Sequence, residues 1–264
     1  MKKIWIAALT AVLMSGCTAG SSIAESAKDK QNKLGYEKIT IGLDDTFAPM
    51  GFRDDNGNLT GFDVELAEEA AEILGVEVEF QPIDWSMKET ELNSGSIDCI
   101  WNGYSITEER KEKVLFSDAY LDNKQIIIVL ADSGIDSADD LAGKTVAVQK
   151  DSSALYAVTA DTAFTDALLQ GAPIEFDTNI ECFLDLEEGR ADAIVTDEVL
   201  ARYVMKQRGE EQYKVLDDDF GTEEYAVGFR KEDTVLCAAV NDALLQLKDN
   251  GTYQRIYSKW FSNN

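Results

Sequence analysis

The chain has 264 residues, with 50 Asp or Glu and 24 Lys or Arg, so its formal net charge is −26. This surplus of negative charge argues against a nucleic-acid or anionic-membrane surface, because phosphate groups are bound by clusters of Lys and Arg. The chain has no histidine, which excludes Ser-His-Asp triads, histidine acid–base catalysis and His-ligated metal sites. Its length fits one large domain or two of about 100–150 residues.

Residues 1–16 predict a signal peptide. Two lysines precede an apolar run over residues 4–13, and this run is too short to span a membrane, since a spanning helix needs about 20 apolar residues. The small residues before Cys17 are similar to the lipobox of bacterial lipoproteins, although Met14 stands where such boxes usually carry leucine. The resemblance implies lipid attachment to Cys17, with the protein held at the outer face of the cell membrane or in the periplasm. Ordinary secretion is the alternative.

Residues 17–35 predict a flexible tether, because they are rich in Ser, Ala, Lys, Asp and Gly and lack an apolar period. The fold is expected to begin near Tyr36. A strand is predicted over residues 39–43, and an Asn-Gly turn then predicts a hairpin between Phe52 and Leu59.

The next elements alternate between helix and strand. We predict that Asp63 caps a helix whose apolar residues share one face and that Gly75 ends it. Strands follow over residues 76–83 and 97–101, and Thr107 caps a helix to residue 114. The elements predicted beyond this point are strands over 126–130, 145–148 and 225–229, a short helix over 139–142, and helices beginning at Ser152, Glu198, Val235 and Tyr253.

The pattern L-x-x-G-x-x-D-x-I occurs twice with identical spacing, from Leu92 to Ile100 and from Leu186 to Ile194. A long-range repeat indicates two α/β lobes of one plan, and the cleft between two lobes is where small ligands bind. We expect one lobe over 36–124 plus 222–264 and another over 125–221, joined by two crossover strands that act as a hinge. Chance recurrence of a short pattern is the alternative.

The segment from Asn102 to Arg110 directly follows a predicted buried strand, and ligands in open α/β sheets bind beyond the carboxyl ends of strands. Gly103 allows close backbone approach. Ser105 and the amides beside Thr107 can donate hydrogen bonds to an anion, and Arg110 can grip a carboxylate through two nitrogens. A solvated arginine on a charged helix is the alternative.

A second set of polar residues comes from the other predicted lobe. Ser152 and Ser153 follow the strand over 145–148 and open a helix with free amides, and Asp197 ends the repeated strand, where a carboxylate can receive an ammonium group. Simple helix capping is the alternative for each.

Aromatic residues stand at strand ends or in adjacent loops. Phe47 and Trp85 lie beside acidic residues and are candidates for pocket walls, since an aromatic face binds a cation or a flat polar group. Phe52 and Tyr104 are further candidates, and core packing is the alternative for all four.

Several segments together resemble the polar amino-acid-binding proteins of ABC importers, solute-binding protein family 3. They are residues 42–49 (GLDDTFAP), 61–67 (GFDVELA), 105–110 (SITEER), 116–120 (FSDAY), 251–253 (GTY) and 260–261 (WF). The similarity extends from about residue 36 to residue 261. It implies an α/β fold of the periplasmic-binding-protein type II kind, with two lobes around a central cleft.

The resemblance also implies roles for individual residues. Arg110 would hold the ligand α-carboxylate together with Ser105 and with Ser152 or Ser153, and Asp197 would take the α-ammonium with the Gly103 carbonyl. The side chain would lie between Phe47 and Trp85, with three residues towards its far end: Asp44, Asn102 and Gln149. The family often has glycine at the position of Asp151, which questions how closely the backbone approaches the ligand there.

An acid at residue 44 and a neutral Gln149 suit a polar or cationic ligand, so we expect arginine, lysine, glutamine or cystine. Closure on the ligand would let a monomer dock on the permease and its ATPase. We expect no cofactor, no metal and no catalysis. Two alternatives remain: a dehydratase of the same fold acting on prephenate-like acids, and an amino-acid sensor that feeds no transporter.

Three cysteines follow Cys17: Cys99, Cys182 and Cys237. Their odd number, without C-x-x-C or metal-ligand spacing, favours buried thiols that act as small hydrophobic side chains. One disulfide is the alternative.

Overall fold

The computed structural model describes residues 34–261. Twelve strands are found in these residues: β1 Lys38–Leu43, β2 Thr46–Phe47, β3 Gly51–Arg53, β4 Leu59–Thr60, β5 Glu77–Pro82, β6 Cys99–Ser105, β7 Leu115–Phe116, β8 Leu121–Leu130, β9 Val146–Gln149, β10 Ile174–Phe176, β11 Ala193–Asp197 and β12 Tyr213–Phe229. Nine α-helices accompany them in the same residues: α1 Phe62–Leu74, α2 Lys88–Ser94, α3 Glu108–Lys113, α4 Ser153–Ala160, α5 Thr162–Ala167, α6 Asn179–Glu187, α7 Glu198–Arg208, α8 Thr234–Asp249 and α9 Thr252–Phe261.

One large sheet runs through the molecule in the order β10-β9-β11-β8-β12-β6-β1-β5, with β7 paired to β12. At one end β5, β1 and β6 are parallel, and at the other end β10, β9 and β11 are parallel. We call these sets the first and second strand groups. Between them β8 and β12 run antiparallel to each other and pair with β11 and β6 respectively. Two long strands therefore join the strand groups, as the sequence predicts.

The repeated sequence pattern occupies equivalent places in the two strand groups. Its glycines follow α2 and α6 with φ values of 81° and 68°, a left-handed conformation that favours glycine. In each copy an aspartate oxygen accepts a backbone hydrogen bond of 2.9 Å from a neighbouring threonine, Asp98 from Thr40 and Asp192 from Thr145. The repeat is therefore a structural one and not a chance recurrence.

The apolar run in β8 is buried on both faces. Ile126 and Ile128 belong to a large core that includes α1, α7 and α8, whereas Ile127 and Val129 belong to a second core with β9 and α4. A strand covered on both sides needs no polar alternation, which explains why the run was recognisable from sequence.

Helix α1 begins differently from the prediction. Gly61, and not Asp63, is its N-cap, with φ 142°. A Cβ on Gly61 would lie 2.2 Å from the carbonyl oxygen of Met50, so only glycine fits. The prediction that Gly75 ends this helix is confirmed, with φ 69°.

Strands β6 and β12 are longer than predicted. Strand β6 continues through Ser105, because Tyr104 and Ser105 pair with Ala226 and Tyr225 of β12. Residues 102–105, predicted to follow the strand, are therefore its last part. Strand β12 begins at Tyr213, where its polar residues pair with β8 but show no apolar alternation.

Within residues 34–261, no helix has the length and apolar content needed to cross a membrane. The predicted signal peptide, Cys17 and the tether up to residue 33 lie outside the described residues.

Candidate functional site

A small cavity lies between the two strand groups, where strands of both groups end. It contains about 260 Å³ of space not filled by protein atoms, including space that is open to solvent. Its lining consists of Asp44, Phe47, Trp85, Asn102, Gly103, Arg110, Gln149, Ser152, Ser153 and Asp197. All ten are among the residues that the sequence analysis expects to bind the ligand.

Arg110 is held in place by its surroundings on α3. Thr107 caps this helix by accepting a 3.1 Å hydrogen bond from the Arg110 amide. The guanidinium lies 4.5 Å from the Tyr104 ring centroid, and it donates to the carbonyl oxygens of Ser105 and Asp151 at 3.0 and 3.3 Å. Arg110 is 6% exposed, and no carboxylate within residues 34–261 forms an ion pair with it. This fixed, unneutralised cation is suited to a ligand carboxylate.

Gly103 brings the backbone of β6 close to the cavity. Its φ is 54°, and a Cβ there would lie 2.7 Å from the Phe47 ring. The Gly103 amide donates to the Asp63 carboxyl at 2.7 Å, and the Tyr120 hydroxyl donates to the same oxygen at 2.9 Å. Burial raises the pKa of Asp63 to about 7. Asp63 therefore positions the Gly103 turn instead of capping a helix.

The second strand group contributes a turn and a helix N-terminus. Asp151 has φ 52°, so it adopts the left-handed conformation that the family's glycine would favour. Ser152 then caps α4, with its hydroxyl accepting from the Leu155 amide at 3.1 Å. The carbonyl of Asp151 thus faces Arg110, while Ser152 and Ser153 line the cavity.

Asp197 is the N-cap of α7, yet its side chain makes no capping hydrogen bond. Instead Oδ1 accepts from the Tyr225 hydroxyl at 2.6 Å and from the amides of Asn123 and Gln125 at 2.7 and 3.0 Å. Burial and the negative charge of Glu223 raise its pKa above the ordinary value of 3.8. The geometry thus disfavours the capping alternative and leaves a carboxylate at the cavity wall.

Asp44 and Gln149 meet across the cavity from opposite strand groups. The Gln149 Nε2 donates to Asp44 Oδ2 at 2.9 Å, and Gln149 Oε1 accepts from Asn179 at 2.8 Å. The Asn102 side chain accepts from the Asp44 amide at 3.0 Å. Burial raises the pKa of the Asp44 carboxyl. This end of the cavity therefore offers an acid and amides to a ligand side chain.

The structure places three predicted residues outside the cavity lining. Phe52 packs 5.5 Å from the Tyr203 ring and 5.8 Å from the Trp260 ring, measured between centroids. Its position in the hairpin directs it to α7 and α9, so it packs against these helices instead of forming a pocket wall. Tyr104 lies behind the wall, 5.9 Å from Trp85.

Ser105 is the third of these residues. Its hydroxyl lies 3.1 Å from the Ser153 hydroxyl and 2.6 Å from an oxygen of Glu223. It is completely buried, at 1% exposure. Ser105 therefore lies behind the cavity and connects β6 with α4 and β12.

Sequence reasoning missed Lys88 and Glu223. Lys88 is 2% exposed, and burial together with the positive charge of Arg110 lowers its pKa to about 8. It lines an outer groove that shares Arg110 and Ser152 with the cavity. Glu223 lies in a polar segment of β12 without periodicity. Neither residue had a sequence signal, because each is defined by contacts with distant segments.

Within the described part of the chain, no cluster of three or more Cys, Asp and Glu side chains could hold a metal ion. Cys99, Cys182 and Cys237 are free and buried, which confirms the prediction of buried thiols.

Comparisons with known proteins agree with this architecture. The family described as "Bacterial extracellular solute-binding proteins, family 3" matches residues 39–263. The L-cystine-binding protein TcyJ of Escherichia coli K12 is 32% identical and aligned over 96% of this chain and 92% of its own.

Two solved structures are similar throughout. A Streptococcus pneumoniae ABC uptake transporter substrate-binding protein with bound histidine has a TM-score of 0.84 at 39% identity, covering 93% of this chain and 98% of its own. An ancestral arginine-binding protein bound to arginine has a TM-score of 0.78 at 41% identity, covering 85% and 98%. All three relatives are binding proteins, so the dehydratase alternative is not retained.

Proposed function

Because the chain belongs to the bacterial extracellular solute-binding proteins, family 3, we propose that it captures a polar L-amino acid for an ABC importer. The α/β fold is of the periplasmic-binding-protein type II kind. The ligand class we propose is arginine, lysine, glutamine or cystine. Relatives described as binding cystine and arginine support this class.

The observation that carries the proposal is an arginine without an ion-pair partner and a buried carboxyl group in one cavity. Arg110 and Asp197 are 6% and 4% exposed, and neither forms an ion pair within residues 34–261. Buried charges are costly unless they are paired. A free amino acid supplies a carboxylate for Arg110 and an ammonium for Asp197 in a single small molecule.

The remaining lining residues determine the side chain that fits. Phe47 and Trp85 are apolar walls, and Asp44 with Gln149 forms the polar far end. A carboxylate there attracts a cationic or hydrogen-bonding group and repels a second carboxylate. Tight binding of aspartate or glutamate would contradict this assignment.

We infer that residues 36–124 plus 222–264 and residues 125–221 act as two lobes, with β8 and β12 as their hinge. Hydrogen bonds from Gln149 to Asp44 and from Lys88 to Asp151 cross between these segments. A ligand held by both lobes favours the closed arrangement by its differential affinity. The closed monomer would then be the form that docks on the permease.

A thermal-shift screen of residues 18–264 against the common L-amino acids and cystine tests the ligand class. A ligand at about 100 times its dissociation constant adds about 2.7 kcal/mol of stability, which raises the melting temperature by a few degrees for a chain of this size. A rise with one or two polar amino acids supports the proposal. The absence of a rise with every amino acid would overturn it.

We also propose that the protein is anchored by lipid on Cys17, as the similarity to a lipobox suggests. Substituting Cys17→Ala should move the protein from the membrane fraction to the soluble fraction after cell lysis. Equal membrane association of both forms would contradict lipidation.

If deletion of the protein abolishes amino-acid uptake by the cells, the result supports a role in transport and not in sensing. Unchanged uptake would favour the sensor.

A further inference from the structure

Glu223 extends from the crossover strand β12 into the cluster that supports the cavity. Its Oε1 accepts hydrogen bonds from Ser105 Oγ at 2.6 Å, Asn123 Nδ2 at 2.7 Å and Gln125 Nε2 at 2.8 Å, and lies 3.3 Å from Ser153 Oγ. No lysine or arginine among residues 34–261 forms an ion pair with it. One carboxyl oxygen thus accepts from residues of β6 and β8 and lies close to α4, without a neutralising cation.

The Glu223 and Asp197 carboxyl groups share their donors. Asn123 Nδ2 lies 2.7 Å from an oxygen of each, and Gln125 Nε2 lies 3.0 Å from Asp197 and 2.8 Å from Glu223. Two carboxyl groups held by the same nitrogens are too close for both to ionise readily, because like charges disfavour the second ionisation. Together they retain a proton more strongly than either would alone.

Gln125 provides an independent observation. It is 1% exposed, and its Oε1 has no hydrogen-bond partner, although its Nε2 is fully used. A buried acceptor without a donor costs stability. The described residues therefore supply too few hydrogen-bond donors for the acceptors of this cluster.

We propose that Glu223 is the proton-sharing partner of Asp197 and that the ligand ammonium group, bound at Asp197, replaces a proton shared by the two carboxyl groups. The inference rests on the proposed amino-acid ligand. Before binding, the pair carries one proton and one negative charge. On binding, the –NH3+ group takes the place of that proton, both carboxylates become ionised, and one proton passes to the solvent. Ligand affinity is then linked to pH through Glu223.

Among the other charged or titratable groups, Tyr225 donates to Asp197, Arg110 and Asp44 line the same cavity, and Lys88 lines the adjoining groove. Tyr225 has a pKa raised well above 10 by burial, and an arginine stays charged throughout. Lys88, with a pKa of about 8, stays protonated at pH 6. Asp44 also has a raised pKa and is the group that must be controlled for. Lys124, which lies between Asn123 and Gln125 in sequence, is paired with Asp219. Glu224, which follows Glu223, is exposed.

The test is isothermal titration calorimetry at about pH 6, with L-arginine and L-glutamine as probes, in two buffers that differ in ionisation enthalpy. The difference in observed heat gives the number of protons released per ligand bound. We expect the wild type to release about half a proton or more, and Glu223→Gln to release clearly less. At about pH 8 the variant should bind about tenfold more weakly, and the gap should narrow towards pH 5.5.

Glu224→Gln is the matched control: it removes the exposed neighbouring charge and should behave as the wild type. Asp44→Asn changes a cavity residue and is expected to alter affinity; a proton release that disappears in this variant would belong to Asp44 and would overturn the inference. A thermal melt confirms that each variant is folded.

Equal proton release by the wild type and Glu223→Gln, or none by the wild type, would overturn the inference while leaving the proposed function intact. Failure of the wild type to bind arginine, glutamine, lysine and cystine alike would instead overturn the proposed ligand class, and the inference with it.

Discussion

The Nζ atom of Lys88 lies 2.9 Å from the carbonyl oxygen of Asp151, and this hydrogen bond joins the two proposed lobes. The same oxygen accepts from Arg110 at 3.3 Å. The backbone of Asp151, at φ 52°, thus presents one acceptor to two cations. The arginine assigned to the ligand carboxylate therefore also takes part in closing the cleft.

Substituting Lys88→Met should weaken ligand binding about tenfold, because the Asp151 and Trp85 carbonyls each lose a charged donor, at 2.9 and 3.0 Å. The loss should lie mainly in a faster dissociation rate, which stopped-flow fluorescence measures. Lys113→Met removes an exposed lysine paired with Glu109 and is the matched control. Equal dissociation rates for wild type and Lys88→Met would exclude a role in closure.

Substituting Arg110→Ala should cost about 3–5 kcal/mol of binding free energy, since the ligand carboxylate would be buried without its cation. This corresponds to a loss of roughly two to three decades in affinity, measurable by calorimetry. Arg110→Lys keeps the charge but loses the planar two-nitrogen contact, and should bind with intermediate affinity. An Arg110→Ala protein that binds as tightly as wild type would refute the carboxylate assignment.

Phe52 and Trp85 should differ in their effect on specificity. Phe52 contacts Tyr203 outside the cavity, at 5.5 Å, so Phe52→Ala should weaken arginine and glutamine binding by the same factor, about three- to tenfold. Trp85 lines the cavity, so Trp85→Ala should change the ratio of the two affinities. Competition calorimetry measures this ratio. A changed ratio in Phe52→Ala would return Phe52 to the ligand site.

Asp63 should make the protein more stable in acid than at neutral pH. Its pKa is raised from 3.8 to about 7 in the fold, so the folded state binds more protons than the unfolded state in that window, and stability falls as pH rises. The contribution is at most about 4 kcal/mol. Urea unfolding of the wild type and Asp63→Asn at about pH 4.5 and pH 7.5 measures it.

The asparagine keeps an acceptor for Gly103 and Tyr120 but cannot titrate. Its stability should therefore change less between the two pH values. A wild type and a variant with the same pH dependence would show that Asp63 does not titrate in this range.

Much of the fold could be predicted from sequence because its signals are local. Helix α7 begins at Glu198 as predicted, Thr107 caps the helix it was expected to cap, and Ser152 is the N-cap of the helix expected to begin there. The first half of β12 could not be predicted, since its polar residues are fixed in a strand only by pairing with β8.

The site residues also divide into those with local sequence signals and those whose role depends on tertiary contacts. Residues at strand ends and helix caps, such as Gly103 and Arg110, could be located from their place in the order of elements. Asp63 was assigned to a cap because its sequence position suits one, whereas a tertiary contact with Tyr120 determines its role. Lys88 was missed because a buried lysine has the same sequence signature as an exposed one.

The buried thiols of Cys99, Cys182 and Cys237 have a practical consequence. Burial raises the pKa of each, and thiol reagents attack the thiolate, so these three should stay unlabelled while the chain is folded. In residues 18–264, a cysteine introduced at an exposed position near the cleft, such as Tyr156→Cys, would then be the reactive site for a fluorophore. Because the three native thiols would not react, a single fluorophore at the introduced cysteine could report amino-acid binding optically.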